Sequence, residues 1–268
     1  MTSETTARRR SAVVTGASAG IGRAFAERLA RDGFEVTVVA RRGPRLRELA
    51  RELRAKHGAR VHVVVADLTR SEDLDALEHR IAHDPHLALL VNNAGIGEFG
   101  AFEDRERWSH EAEVRLNVLA VVRLTHAALG ALLPRGDGAV INVSSLAAFQ
   151  PCPFLATYGA TKAFLNSFTE ALREELRGTG VHVQTLCPGG THTELFAQSG
   201  VDVSGLPSFV WMEPDAVVAE SLAALAHGSG ICVPGLGNRA LSSLTPLLPT
   251  ELVLRVGGAL GRRIRHTA

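Results

Sequence analysis

Short apolar segments alternate with amphipathic segments along most of the chain, starting at Ser11. The apolar runs have the length and composition of buried strands, and the segments between them repeat apolar residues at helical spacing. The pattern predicts strands at 11–15, 35–40, 60–66, 87–91, 139–145, 181–187 and 230–234. It predicts helices at 23–31, 44–57, 71–83, 108–133 and 162–176. Strands that alternate with helices favour an α/β, doubly wound, three-layer fold with a parallel sheet of about seven strands.

A glycine-rich turn, Gly-Ala-Ser-Ala-Gly-Ile-Gly, joins the first strand to the first helix. Glycines allow a tight turn there and let the backbone approach a pyrophosphate at the N-terminus of the helix. A strand, turn and helix of this kind are typical of a Rossmann-type dinucleotide site, although an ordinary glycine-rich turn has the same composition. The candidate phosphate-binding residues are Gly16, Ser18, Gly20, Ile21 and Gly22.

The end of the second strand bears on the choice between two dinucleotides. An acidic residue there would bind the adenosine ribose of NAD, whereas arginine suits the 2′-phosphate of NADP. This strand ends in Ala40 and is followed by Arg41 and Arg42, with no acid. The sequence therefore favours NADP over NAD, with Arg41 as the first phosphate contact and Arg42 as the second. The alternative is two solvated arginines that open the next helix.

The third and fourth strands end in small or polar residues. A carboxylate at Asp67 can accept a hydrogen bond from the adenine amino group, or it can cap the helix that starts at Ser71. The fourth strand runs into Asn-Asn-Ala-Gly, and such residues fit a ligand crevice at the edge of a parallel sheet. The cofactor candidates in these two segments are Asp67, Leu68, Asn93, Ala94 and Gly95.

The chain contains one tyrosine, Tyr158, and Lys162 follows it four positions later. Residues four apart share a face of a helix, so the phenol and the ammonium can point into one cleft. A nearby cation favours phenolate, so we expect Lys162 to lower the tyrosine pKa and to prepare it for proton transfer. Taken alone, the pair is better explained as two surface residues, because a tyrosine and a lysine four positions apart are common.

Two further residues bear on the same chemistry. Ser145 ends the fifth strand thirteen positions before Tyr158, and its hydroxyl could reach the same substrate oxygen as the phenol. Asn117 lies within the long apolar helix, where a lone asparagine is more often a structural hydrogen-bond former.

These motifs resemble the short-chain dehydrogenase/reductase family in their order and spacing, from about Ala12 to Gly235. After the sixth strand, the segment Pro-Gly-Gly-Thr-His-Thr also resembles a family segment whose threonine holds the nicotinamide carboxamide. The motifs that carry the resemblance are Gly16-x-x-x-Gly20-x-Gly22, Asn92-Asn93-Ala94-Gly95, Asn117, Ser145 and Tyr158-x-x-x-Lys162. One departure is Ala19, where NADP-preferring members often carry a basic residue.

The resemblance implies hydride transfer between nicotinamide C4 and a carbonyl or alcohol carbon, with Tyr158 as general acid in reduction and base in oxidation. It implies that Ser145 hydrogen-bonds the substrate oxygen and that Lys162 binds the nicotinamide ribose and lowers the phenol pKa. It also implies that Asn117 anchors a proton-carrying water. The cofactor candidates that it adds are Tyr158, Lys162, Pro188, Gly189, Thr191 and Thr193.

The segment 192–214 leaves the regular pattern, is rich in apolar residues, and stands where the family has its substrate lid. An apolar lid suggests a hydrophobic carbonyl or alcohol substrate, although the same residues could simply pack on the core. The substrate-contact candidates, besides Ser145, are Phe149, Phe154, Phe196, Phe209 and Trp211. We therefore expect one catalytic domain over residues 11–235, preceded by a disordered lead-in at 1–10.

Residues 236–268 differ from the rest of the chain. Leucines and valines recur at helical spacing on either side of Pro246 and Pro249, and arginines outnumber the single acid, Glu251. This predicts two amphipathic helices with a basic end, similar to tails in the 3-ketoacyl and hydroxysteroid branch of the family. Packing on the parent domain and a subunit contact are favoured over contact with an anionic membrane surface.

Composition excludes several other classes of protein. The net charge of +1 gives no electrostatic case for nucleic acid, and the scattered histidines and three separate cysteines predict no metal site or disulfide framework. We expect a cytoplasmic protein without a transmembrane span, forming a homodimer or homotetramer as family members commonly do. The competing functions are a nucleotide-binding regulator without catalysis, and an epimerase or dehydratase on a related scaffold.

Overall fold

The computed structural model describes residues 9–191 and 211–265, and its centre is a parallel sheet of seven strands in the order β3-β2-β1-β4-β5-β6-β9. A separate two-stranded pair, β7 with β8, lies apart from the main sheet. The strands are β1 (Ser11–Thr15), β2 (Glu35–Ala40), β3 (Val61–Val65), β4 (Leu87–Asn92), β5 (Gly138–Val143), β6 (Val181–Leu186), β7 (Gly190–Thr191), β8 (Trp211–Met212) and β9 (Ile231–Cys232). The predicted α/β fold with about seven parallel strands is confirmed.

Helices cover both faces of the sheet, as the alternating pattern predicts. They are α1 (Gly20–Arg31), α2 (Gly43–His57), α3 (Ser71–Ala82), α4 (Arg107–Val114), α5 (Ala120–Leu132), α6 (Ala156–Glu175), α7 (Pro214–Ala226), α8 (Leu236–Leu244) and α9 (Thr250–Arg265). Two boundaries differ from the prediction in ways that matter for function. The first helix starts at Gly20, inside the glycine-rich turn, and α6 starts at Ala156 and therefore contains Tyr158.

The core consists of two apolar layers, one on each face of the sheet. Along β1, Ala12 and Val14 belong to the layer under α1, α2 and α7, while Val13 belongs to the layer under α3, α5 and α6. Alternate residues of a strand point to opposite faces, and both faces are covered, so the strand is apolar throughout. Because both faces of the sheet are covered, polar side chains that act on a ligand can be exposed only at the ends of the strands.

The strand order reverses at β1, which pairs with β2 on one side and with β4 on the other. In open parallel sheets, the crevice outside the carboxyl ends of the strands at such a switch point is the usual place for a ligand. The glycine-rich turn after β1 and the Asn-Asn-Ala-Gly segment after β4 both open into this crevice.

The predicted long helix at 108–133 is one continuous helical run with a π-helical turn, Arg115–Leu119, between α4 and α5. By length and composition, the run Arg107–Arg135 is apolar enough to cross a membrane. Its inner face, however, packs on the sheet and on α3, with Leu124, Ala128 and Leu132 fully buried. Its apolar character is therefore that of a core helix.

The tail forms the two predicted helices, with a 3₁₀ turn, Thr245–Leu247, between them. Helix α9 lies against the Pro153-Phe154 turn through its glycines. A Cβ atom at Gly257 would lie 3.3 Å from Pro153, and one at Gly261 would lie 2.2 Å from the Phe154 ring. The predicted packing on the parent domain is thus observed for this face. Large apolar side chains on the outer face are exposed, namely Leu241, Leu244, Leu247, Leu248, Leu252 and Val256.

Candidate active site

The glycine-rich turn is held in a shape that glycine allows and other residues resist. Gly16 and Gly20 have φ values of 67° and 54°, in the left-handed region. A Cβ atom at Gly22 would lie 2.5 Å from the carbonyl oxygen of Gly16 and 2.4 Å from Nδ2 of Asn93. Helix α1 begins here, and its N-cap residue, Ala19, makes no side-chain capping bond. The cradle therefore fits a phosphate group on the helix N-terminus.

Asn93 and Thr15 join the ends of β1 and β4 beneath this cradle. Nδ2 of Asn93 donates to the carbonyl oxygen of Thr15 at 2.9 Å, and the backbone N–H groups of Asn93 and Ala94 both donate to Thr15 Oγ1 at 3.0 Å. Asn93 thus fixes the turn as well as lining the crevice. The part played by Thr15 was missed from the sequence, where it counts only as the last residue of an apolar strand.

The two arginines after β2 occupy different positions. Arg42 donates from Nε and Nη2 to Ser18 Oγ at 3.1 and 3.0 Å, which ties it to the glycine-rich turn. Arg41 is exposed, and its Nη1 lies 4.0 Å from Oδ2 of Asp67. Both arginines line a cleft of about 490 Å³ that also includes Gly16, Ala40, Ala66, Leu68, Ala94 and Gly95.

Asp67 forms a turn instead of capping the next helix. Its Oδ1 accepts hydrogen bonds from the backbone N–H and the hydroxyl of Thr69, whereas the N-cap of α3 is Arg70, which makes no side-chain cap bond. The capping interpretation from the sequence is therefore wrong. Burial alone would raise the pKa of Asp67, but the bonds from Thr69 and the charge of Arg41 outweigh it and lower the pKa, so the carboxylate is charged at neutral pH.

Asn117 sits in the π-helical turn and is fully buried. Its Nδ2 donates to the carbonyl oxygen of Ile96 at 2.8 Å and to Thr161 Oγ1 at 3.1 Å, and its Oδ1 accepts from the Ile96 N–H at 3.0 Å. The structural interpretation of this residue is therefore observed. It also lies beside Lys162, because a Cβ atom at Gly95 would be 3.2 Å from Asn117 Oδ1 and 3.3 Å from Lys162 Nζ.

Ser145, Tyr158 and Lys162 converge where β5 ends and α6 begins. Ser145 is the N-cap of the 3₁₀ turn Leu146–Phe149, where its Oγ accepts from the N–H of Ala147 at 3.1 Å. Its hydroxyl also lies close enough to the Tyr158 hydroxyl for hydrogen bonding between them to lower the phenol pKa. Lys162 Nζ donates to the carbonyl oxygen of Val143 at 2.8 Å and lies 5.7 Å from the centre of the Tyr158 ring. The shared helix face inferred from the four-residue spacing is present.

The protonation behaviour of the pair differs from the expectation. Burial raises the pKa of Tyr158; the hydrogen bond with Ser145 opposes this, and the charges of Cys152 and Glu113 add to it. Burial also lowers the pKa of Lys162 to about 8. The expectation of a lowered phenol pKa is wrong for this structure, because the site desolvates both groups and so weakens the ammonium that would stabilise phenolate.

Close contacts with backbone atoms fix the positions of Lys162 and Tyr158. Ser144 Oγ donates to the carbonyl oxygen of Lys162 at 2.9 Å, so this serine is structural, as expected from its position beside Ser145. A Cβ atom at Gly97 would lie 2.5 Å from Cδ2 of Tyr158, so the backbone at Gly97 rests directly on the phenol ring. Gly97 lies outside every motif, so its contact with the ring could not be predicted from the sequence.

Comparison with known families decides the class of this site. The model of the short chain dehydrogenase family matches residues 10–203, which include the glycine cradle and the Ser145, Tyr158 and Lys162 cluster. The chain belongs to the short chain dehydrogenase family. It is therefore an oxidoreductase of the kind that acts on alcohol and carbonyl groups.

Individual relatives within the family fit this assignment. The chain is 29% identical to a very-long-chain 3-oxoacyl-CoA reductase from Anas platyrhynchos, over 95% of this chain and 80% of the relative, in line with the expected branch. A short-chain dehydrogenase from Sphingobium yanoikuyae, solved with NADPH, superposes with a TM-score of 0.81 at 36% identity, covering 86% of this chain and 90% of that one. A bulky-bulky ketone specific alcohol dehydrogenase from Comamonas testosteroni gives 0.77 at 32% identity, covering 90% and 96%.

The remaining cofactor candidates of the family motif lie after β6. The carbonyl oxygen of Pro188 accepts a bond from Leu146 N at 3.0 Å, which ties this segment to the Ser145 turn. Gly189 packs on Asn238 of α8, with a Cβ position 2.5 Å from Oδ1, and the buried Thr191 donates to the Gly189 carbonyl at 3.2 Å. Thr193, Phe196 and Phe209 lie outside the described residues.

The three described substrate candidates have different surroundings. Phe149 ends the 3₁₀ turn that begins after Ser145. Phe154 has a φ of 66° and stacks on Phe99 at 5.7 Å between ring centres, so its position is tightly fixed. Trp211, in β8, pairs with Gly190 of β7. Its ring covers the Gly190 backbone, and a Cβ atom at Gly190 would lie 3.1 Å from Cδ2 of the ring. No cluster that could hold a metal ion occurs in the described parts of the chain.

Proposed function

We propose that the protein is an NADP-dependent oxidoreductase that transfers a hydride between nicotinamide C4 and a hydrophobic ketone or secondary alcohol. The observation that carries the proposal is the convergence of Ser145, Tyr158 and Lys162 where β5 ends and α6 begins. Gly95 and Gly97, which line the cleft of the glycine-rich turn, lie directly against Lys162 and Tyr158. A reduced nicotinamide, when bound, supplies the hydride, and the protein supplies orientation and the proton.

The residues divide the proton chemistry between them. In reduction, Ser145 donates a hydrogen bond to the substrate carbonyl oxygen while Tyr158 transfers its phenolic proton to that oxygen. Because burial raises the pKa of Tyr158, the phenol is protonated at neutral pH, which is the form that reduction requires. Lys162, with a pKa lowered to about 8, can exchange protons near neutral pH, and we assign it the roles of reprotonating the phenol and binding the nicotinamide ribose.

A panel of bulky ketones and secondary alcohols, followed by nicotinamide absorbance, tests this function. We expect turnover with at least one apolar ketone and NADPH, and the reverse reaction with the corresponding alcohol and NADP⁺. If the protein binds NADPH but oxidises it with no carbonyl compound in the panel, the alternative of a nucleotide-binding regulator would replace this proposal.

The preference for NADP rests on the cleft between β2 and β3. Two guanidinium groups line it, Arg42 is directed to Ser18 of the phosphate cradle, and the strand before them ends in Ala40 without a carboxylate to repel a 2′-phosphate. Arginine binds phosphate through paired, charge-assisted hydrogen bonds. The NADPH bound to the Sphingobium yanoikuyae relative supports the same preference.

Removing these arginines should change the choice of cofactor. In Arg41→Ala and Arg42→Ala, we expect the KM for NADPH to rise about 10- to 100-fold, because each loses a charge-assisted bond to the 2′-phosphate. The KM for NADH should change much less. Arg51→Ala, at an exposed position farther along α2, is the matched control. A native protein that prefers NADH, or equal losses for the two cofactors, would contradict the proposed preference.

A hydrophobic substrate is supported by the side chains near the reactive hydroxyls. Phe149 and Phe154 lie within the segment between Ser145 and Tyr158, and Phe154 packs between Phe99 and helix α9. The names of the relatives, which act on a bulky ketone or a long-chain acyl ketone, agree with an apolar pocket.

Self-association is proposed from exposed apolar surface. Trp108, Val114, Leu119 and Phe164 are exposed on neighbouring helices of the α4–α6 region, and a second exposed apolar face lies on α8 and α9. Several large exposed apolar side chains on neighbouring helices are typical of an interface. We propose that a homodimer or homotetramer covers the α4–α6 face and that the tail face is a further subunit contact.

Charged substitutions on the α4–α6 face and on the tail face test the two proposed subunit contacts independently. Light scattering should give a mass above the 28.5 kDa monomer for the native chain, and a lower mass for Leu119→Glu and for the Leu252→Glu, Val256→Glu double variant. These side chains are exposed, so the fold should survive. A monomeric native chain would contradict the proposal. If only the tail variant loses sedimentation with anionic vesicles and its mass is unchanged, the tail face binds membrane instead.

A further inference from the structure

A buried ion pair lies near Tyr158 and takes no part in the proposed proton transfer. Arg105, with 5% of its side chain exposed, places Nη2 at 2.5 Å from Oε1 of Glu113, which is 1% exposed. The same Nη2 lies 2.6 Å from Ser109 Oγ and 3.3 Å from Oε2 of Glu98, and Glu98 accepts from Ser109 at 2.6 Å. Charges buried this deeply are costly unless they are paired.

The pair is tied to the segment that lies on the phenol ring. Glu113 and Asn117 are four residues apart on one face of the same helical run. Asn117 holds both backbone groups of Ile96, while Glu113 Oε1 accepts the N–H of Glu98 at 3.0 Å. Gly97, the residue between these two anchors, is the one whose backbone rests on the Tyr158 ring. Two side chains of one helix therefore clamp the turn that sets the position of the ring.

We propose that the Arg105–Glu113 pair is a positioning element of the reaction, which fixes the Ile96–Glu98 turn against Tyr158 and keeps the Glu113 carboxylate electrically balanced beside the phenol. The inference rests on the proposed function, because it needs Tyr158 to be the group that exchanges a proton with substrate. Within the described residues, Arg105 Nε and Glu113 Oε2 are buried without a hydrogen-bond partner. The balance of the carboxylate therefore rests on the Nη2 contact.

The charged surroundings of the phenol make this balance measurable. Three titratable groups surround Tyr158: Lys162 on the same helix, Cys152 in the preceding loop and Glu113 on α4. Arg105 and Glu98 lie around Glu113. His110, also on α4, is hydrogen-bonded to Thr157 at 2.8 Å. After burial, and against the bond with Ser145, Cys152 and Glu113 both act to raise the pKa of Tyr158. Neutralising Glu113 should therefore ease ionisation of the phenol, and removing Arg105 should hinder it.

The test is the pH dependence of kcat/KM for oxidation of a secondary alcohol by NADP⁺, since its rising limb reports ionisation of the catalytic base in the free enzyme. We expect the limb of Glu113→Gln to move to lower pH, and that of Arg105→Met to move to higher pH, each by roughly 0.5 to 1 unit. The double variant should return toward the native position. Arg123→Met breaks an Arg–Glu pair that is more exposed and lies elsewhere, with Glu78 between α3 and α5, and should leave the limb unchanged.

Because the two variants should shift the rising limb in opposite directions, the test distinguishes a positioning role from a purely structural one. If the pair only stabilises the fold, both variants lose activity or melting temperature while the limb stays in place, and the proposal is overturned. Movement of both limbs in one direction would also overturn it. If Arg105→Met does not fold, the pH shift of Glu113→Gln alone tests the proposal. This variant keeps the turn in place, since its amide oxygen can still accept a hydrogen bond from the Glu98 N–H. A native enzyme without any such limb would refute the proposed function of Tyr158, which is a separate outcome.

Discussion

Tyr158→Phe should lower kcat/KM for ketone reduction by roughly 10³-fold, the range in which a positioned acid or base usually contributes. The change removes one hydroxyl and keeps the ring that Gly97 and Lys162 contact. Without the phenol, Ser145 can still hydrogen-bond the carbonyl oxygen, but no group on the described residues of the crevice is placed to protonate it. Steady-state kinetics with the best ketone from the panel measures the effect.

Cofactor binding serves as the control for this variant. The hydroxyl of Tyr158 takes no part in the glycine cradle or the arginine cleft, so the affinity for NADPH should stay within about threefold of native by fluorescence titration. The melting temperature should move by only a few degrees, because the variant loses one hydrogen bond with Ser145. Turnover within about tenfold of native would remove the phenol from the mechanism.

Lys162→Met should lower kcat/KM by about 10²-fold or more, because reprotonation of the phenol and binding of the nicotinamide ribose both depend on the amine. Its stability should not fall in parallel. Burial lowers the pKa of Lys162 to about 8, which means that the folded protein holds the ammonium at a cost near neutral pH. Methionine removes that cost and leaves the Val143 carbonyl without its donor, so the two effects oppose each other.

The pH dependence of stability measures the cost of burying the Lys162 ammonium separately from the lost hydrogen bond. Between pH 8 and 10.5, the unfolded chain binds a proton at Lys162 that the folded chain has released, so this lysine makes the free energy of unfolding rise with pH across that window. The other groups titrate in both proteins. The native-minus-variant difference in unfolding free energy, from denaturant titrations at several pH values, should therefore rise from pH 8 to 10.5. A flat difference would show that Lys162 is not desolvated in solution.

The sequence was sufficient for the sheet and for the positions of the local motifs within it. Strand β2 occupies the predicted residues, and the glycine-rich turn follows β1 as expected, because valine-rich runs and glycines act through local geometry. The start of α6 was placed too late, at Lys162 instead of Ala156, because the residues before it carry no apolar repeat. That error did not affect the inference about Tyr158, since the four-residue spacing alone puts the two side chains on one face.

The features that the sequence did not reveal depend on contacts between distant segments. Gly97 touches Tyr158 across 61 positions of chain, and Thr15 bonds Asn93 across 78, distances at which no periodicity operates. The direction of the phenol pKa was also wrong, because spacing shows that a lysine is near but not that both groups are removed from water. Burial is a property of the whole fold, and so are the pKa shifts that follow from it.

The most direct test of the account is a crystal structure of the protein with bound NADP⁺. We expect the hydroxyl groups of Tyr158 and Ser145 to face one side of the nicotinamide ring, with space for a carbonyl group between them and C4. The pyrophosphate should lie at the N-terminus of α1, and the 2′-phosphate should contact Arg41 or Arg42. A phenol hydroxyl turned away from the ring, with no path for a substrate oxygen to reach both it and C4, would contradict hydride transfer at this site.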